Sequence, residues 1–142
     1  MEELLELKEL ISKQDIESAL VLIEELLEMS KADIINNIRS YAIILLLHLI
    51  KQVVENRTTK SWDISIANSS LEIKSLNRRR KSKGNYLNQQ ELRELLEEAW
   101  PQAINLASKE AFEGIYSVNE IAKQISDSGE DVIESALKRI LE

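Results

Sequence analysis

Apolar residues recur along this chain at helical spacing, and no stretch shows the strict alternation of a half-buried strand. The first predicted helix covers about Glu2–Ser12, with Leu4, Leu7 and Ile11 on one side. "KQD" makes a turn, and Asp15 is placed to cap the next helix, about Ile16–Met29. There Ile16, Leu20, Ile23 and Leu27 form a stripe, with Glu24, Glu25 and Glu28 beside or opposite it. Ser30 then opens "SKAD", a capping-box spacing with Asp in place of Glu, and predicts a third helix from about Lys31 to Val54. Its first turns set Ile34, Ile35 and Ile38 against Asn36, Asn37 and Arg39. From Tyr41 to Ile50 it is apolar on all sides, which predicts a central strut enclosed by other elements.

The polar loop "ENRTTKS" separates that helix from a fourth, about Trp62–Lys81, with Ser61 as its expected cap and Trp62, Ile66, Ile73 and Leu76 facing inward. Asn88 begins a capping signal for a fifth helix, about Gln89–Glu113. Leu92, Leu95, Leu96, Ala99, Ala103 and Leu106 face inward there, Pro101 is expected to kink or split it, and Gly114 to end it. "SVNE" at 117–120 is a full capping box for a short sixth helix. A seventh, about Glu130–Leu141, puts Val132, Ile133, Ala136, Leu137 and Ile140 on one face. The pattern predicts an all-α fold: an up-and-down bundle of four main helices, the second to fifth, with short extra helices at the N- and C-termini.

Composition narrows this further. A chain of 142 residues is expected to form a single helical domain, 1–142. It has no cysteine, which excludes disulfides and thiolate sites. The acidic opening "MEELLELKEL" lacks the order of a secretory signal, and the ten-residue apolar run at 41–50 falls short of the about 20 residues that span a bilayer. The expected location is cytoplasmic, with no membrane contact. A net charge of −7 and a pI near 4.9 argue against general nucleic-acid binding. One segment runs the other way: "RRRKSK" holds Arg78, Arg79, Arg80, Lys81 and Lys83.

His48, the single histidine, is the first candidate for chemistry. A bundle metal site needs several ligands, often Glu-x-x-His pairs on facing helices. The residue three before His48 is Leu45, so a metal or enzyme site would have to recruit Glu24 or Glu25. The favoured reading is a half-buried histidine hydrogen-bonded inside the protein, with no metal and no cofactor. Lys51, one turn on, reads as a cation at the rim of the core, paired with a glutamate of the second helix. Arg57, Lys60 and the run Arg78, Arg79, Arg80, Lys81 and Lys83 are candidates for an anionic ligand, with a solvated helix end as the plainer reading. Trp62 and Trp100 read as packing residues. There is no Gly-rich phosphate loop, no H-E-x-x-H and no G-x-S-x-G, so nothing nominates an enzyme.

Four stretches in order, "LIEELLEM" with "SKAD", then "LLHLIK", "KSW" and "LEEAWPQA", resemble a bacterial family known as domain of unknown function 29. The resemblance covers about residues 15–113 and implies an all-helical bundle core there, leaving 117–142 as a C-terminal helical extension. It supplies no catalytic residues. It implies that His48, Lys51, Ser61 and Trp62 belong to a recurring pattern. Together with Glu24 and Glu25 they are expected to form a buried polar latch at the corner between the third and fourth helices. An aromatic often follows the lysine in such sequences, where this chain has Gln52. The function this supports is a non-enzymatic protein–protein interaction or regulatory module. Its expected partner is a second copy or another protein, met through the terminal amphipathic helices.

Overall fold

Ser30 does not begin a helix but lies within one. In the computed structural model, which describes residues 2–79 and 84–142, the second and third predicted helices are a single helix, α2, Ile16–Glu55. "SKAD" contains neither Gly nor Pro, and its residues have ordinary helix propensities, so nothing forces the chain out of the helix. A capping spacing permits a start without requiring one. α2 is preceded by α1, Glu2–Ser12, and followed by α3, Lys60–Asn77, and α4, Gln89–Glu110. A 3₁₀ turn, Ala111–Gly114, leads to α5, Val118–Ile125, and α6, Gly129–Leu141. The described residues are all-helical, with one isolated bridge between Arg78 and Asn85. The main helices among them are α2, α3 and α4, because two of the four expected are one continuous helix.

Local chemistry explains the ends. α1 closes on Gln14 in the left-handed region (φ 62°), with Gln14 N–H donating to the carbonyl of Ile11 and Asp15 N–H to that of Leu10. Asp15 then accepts from the Ser18 N–H at 3.2 Å and caps α2, as its spacing predicts. α2 ends in the same motif, with Asn56 left-handed (φ 50°) and Arg57 N–H reaching the Gln52 carbonyl. Thr59 caps α3 in place of Ser61, its hydroxyl accepting from Trp62 N–H. Asn88 and Ser117 form complete capping boxes with Glu91 and Glu120. α4 continues through Pro101 without being split.

The chain divides into two compact units, Met1–Asn36 and Asn37–Glu142, and α2 crosses the boundary unbroken. In the second unit, Ile38, Ala42, Leu45, Leu46 and Ile50 of α2 are fully enclosed. Ile66 and Ile73 of α3 join them in the core, with Leu92, Leu96, Ala99, Ala103 and Ala107 of α4. Each such leucine or isoleucine contributes about 1.5–3 kcal/mol by leaving water. α6 packs on α3 and α4 through Val132, Ile133, Ala136, Leu137 and Ile140, the face its periodicity predicts. Gly129 makes that approach close: a Cβ there would lie 3.4 Å from the ring of Trp100. Arg93 of α4 is ion-paired with Glu134 of α6. At the end of α3, buried Asn77 donates to the Leu87 carbonyl at 3.0 Å and accepts from its N–H at 2.8 Å, which fixes the return of the chain.

The first unit is built differently. α1 buries no residue, and Leu4 and Ile11, which share one side of it, are 56% and 51% exposed. In the part of α2 that belongs to this unit, Ala19 is buried while Ile16, Leu20, Val21, Leu27 and Met29 are exposed.

By length and mean hydropathy α2 is long and apolar enough to cross a membrane, a length the expected break at Ser30 had hidden. The enclosure of Leu45, Leu46, Leu47, Leu49 and Ile50 in the second unit accounts for its apolar run as a core helix.

Candidate functional site

The corner between α2 and α3 gathers most of the singled-out polar residues. Lys51 is only 6% exposed, and its ammonium sits 4.6 Å from the centroid of the Trp62 ring. Burying that charge is costly unless it is paired. The carboxylate of Glu110, at the end of α4, lies 3.2 Å away and offsets the cost together with the ring's negative face. The guanidinium of Arg57 is 4.8 Å from the same ring centroid and is held by Glu55, whose side chain is 9% exposed. Gln52 closes the outside of the corner, donating to Thr58 at 2.7 Å and to Asp63 at 3.2 Å. Gln52, where this chain departs from the resemblance, is thus the residue that ties the loop down.

His48 lies one turn before Lys51 and is half-buried. Its buried Nδ1 has no hydrogen-bond partner in the protein, which corrects the expectation of a bonded core histidine. Burial pushes its pKa below the ordinary 6.5 and the positive charge of Lys51 adds to this, while Glu110 opposes both. The shift favours the neutral imidazole. Among the described residues no three His, Asp or Glu side chains converge as a metal site would require.

The remaining candidates separate. Ser61 is exposed in the first turn of α3 and does not cap it. Glu24 and Glu25 are exposed in the first unit. The carboxylate that Lys51 meets is Glu110. The proposed anion-binding cations do not form one patch. Arg57 and Lys60 stand at the start of α3, while Arg78 and Arg79 lie past its far end, about 26 Å along the helix. Arg79 lies against the Tyr86 ring. Arg80, Lys81 and Lys83 fall outside the described residues.

Sequence reasoning missed Glu110, which is 59 positions from Lys51 and one glutamate among many. It also missed the backbone beside it. Phe112 and Glu113 both adopt left-handed conformations (φ 49° and 57°), which cost on the order of 1–3 kcal/mol each for non-glycine residues. With Glu55, Arg57, Trp62, Glu110 and Ile115 they line a surface cavity of about 340 Å³. Of its lining charges, Glu110 is paired with Lys51 and Arg57 with Glu55, while Glu113 has no ion pair among the described residues.

A second feature lies in the first unit. Residues 1–36 hold ten acidic and three basic side chains, a balance of −7, which equals the net charge of the whole chain; the rest carries fifteen of each. At 100° per residue, exposed Ile16, Leu20 and Leu27 fall in one row along α2, and exposed Glu17, Glu24 and Glu28 fall in a neighbouring one. The terminal helices thus differ: α6 spends its apolar face on α3 and α4, while α1 and the start of α2 leave theirs in water.

The family model described as "Domain of unknown function DUF29" matches residues 3–137, and the chain belongs to that family. The match runs from α1 into α6, beyond the stretch of 15–113 that carries the resemblance at both ends. No curated protein and no solved structure matches the chain.

Proposed function

We propose that this chain of the DUF29 family is a non-enzymatic protein–protein interaction module, cytoplasmic in location. Residues Asn37–Glu142 serve as its folded scaffold and residues Met1–Asn36 as its contact surface. One observation carries the reading: Leu4, Leu5, Ile11, Ile16, Leu20, Val21, Leu27 and Met29 all stand more than half exposed in one short unit. Among them Ile16, Leu20 and Leu27 share one row along α2, and an apolar row left in water points to a contact site. An amphipathic helix also gains most of its stability from whatever covers its face. The charge-matched corner at Trp62 acts as the scaffold's latch.

The test is recovery of bound proteins with the full chain from its own cells, compared between two surface variants. Leu20→Ser/Leu27→Ser removes the apolar row. Ile64→Ser/Leu71→Ser removes equally exposed apolar residues of α3. The reading expects a stoichiometric partner, or a second copy, that is lost from the first variant and kept by the second. Identical recovery from both contradicts it.

A further inference from the structure

We infer that the partner face of residues Met1–Asn36 receives a basic amphipathic helix of another protein. This rests on the reading of that unit as the contact surface and adds the chemistry of what binds there.

The geometry is that of one half of a helix pair. Leu20 and Leu27 are seven residues apart, with Ile16 and Ile23 completing the seam. In that register Glu17 and Glu24 take the flanking position whose charge faces a partner helix and selects it. Glu28 extends the acidic row by one turn. Glu17, Glu24, Glu25 and Glu28 have no cationic partner within the described residues, so nothing in the chain's own fold uses their charge.

Charge decides among the occupants. A second copy laid on the same face would bring another unit of −7 against the first, with carboxylates meeting across the seam. An anionic membrane surface is repelled for the same reason. A helix with leucines at the seam and lysines or arginines beside it removes the apolar row from water and neutralises the acidic row. The row from Ile16 to Leu27 spans about 18 Å, which sets the partner segment at roughly 12–18 residues.

The experiment uses the full chain and two synthetic peptides of about 18 residues with identical leucine positions. One carries lysine at the flanking positions and the other glutamate. Binding is measured by calorimetry at about 50 mM and 200 mM sodium chloride. The expected result is at least about tenfold tighter binding of the lysine peptide, weakening with salt. Glu17→Gln/Glu24→Gln/Glu28→Gln should cut that affinity about tenfold, and Leu20→Ser/Leu27→Ser should abolish it, with unfolding of both variants unchanged. Equal binding of the two peptides, or lysine-peptide binding untouched by the glutamine variant, overturns the basic partner. So does self-association or uptake into phosphatidylcholine vesicles through Leu20 and Leu27 with no peptide bound; in these cases the contact surface itself survives. No association of any kind, with the serine variant behaving as the parent, overturns both.

Discussion

Helix α2 contains two stretches of similar appearance and opposite fate. From Ile16 to Met29 its apolar residues follow helical spacing, yet Ile16, Leu20, Val21, Leu27 and Met29 remain in water. From Ile38 to Lys51 the same helix encloses Ile38, Ala42, Leu45, Leu46, Leu47, Leu49 and Ile50, and even the lysine is buried. The backbone is continuous and both stretches are rich in leucine and isoleucine. What differs is the flanking chemistry. The second stretch is apolar over most of its circumference and is enclosed except along one side, where Ile44 is exposed. The first is flanked on one side by glutamates, which keep the helix compatible with water without requiring its apolar face to be covered from within. An amphipathic period therefore says that a helix has an apolar face, and not whose surface will meet it.

Substitutions that probe the buried stretch should have the largest effects. Trp62→Ala removes the ring that Lys51 and Arg57 lie against and opens a cavity in a nearly closed site; about 3–5 kcal/mol of stability should be lost, read by urea unfolding. Leu46→Ala, at a fully enclosed position, should cost about 2–5 kcal/mol. A cost for Leu46 below about 1 kcal/mol would erase the contrast between the two stretches. Lys51→Met keeps the packed stem and removes the charge. Glu110 is half exposed and can be hydrated, so a loss of only about 1 kcal/mol is expected.

His48 gives a smaller, pH-dependent signature. Its pKa is depressed in the fold, so below the ordinary value of 6.5 the unfolded chain binds the proton first. Its contribution to stability is complete above 6.5 and is lost as pH falls from there through the folded-state value. Unfolding measured from pH 7.5 to 5.5 should show a slope that His48→Leu reduces. An unchanged slope would mean that the imidazole is equally free in both states.

Much of this architecture was legible in the sequence. The buried face of α6, the capping boxes at Asn88 and Ser117, the Asp15 cap and the all-helical class all follow from spacing and side-chain chemistry that act within a few residues. The failures share a physical cause. The break at Ser30 was expected because a capping spacing was present, but a cap stabilises a helix start only where the chain already leaves the helix. Lys51 meets Glu110 and not the expected Glu24 or Glu25. The true partner, Glu110, is the last residue of α4, 59 positions from Lys51, and no local signal marks it. The exposure of Leu20 and Leu27 was illegible for a related reason: burial is decided by tertiary neighbours, and spacing records none.

The central claim is that the fold does not use the row at Ile16, Leu20 and Leu27. It is tested most directly by urea unfolding of Leu20→Ser/Leu27→Ser beside the parent chain. The account predicts a difference within about 0.5 kcal/mol, as for exposed surface positions. A loss of about 3 kcal/mol or more would show that the chain buries this row for itself, and would contradict it.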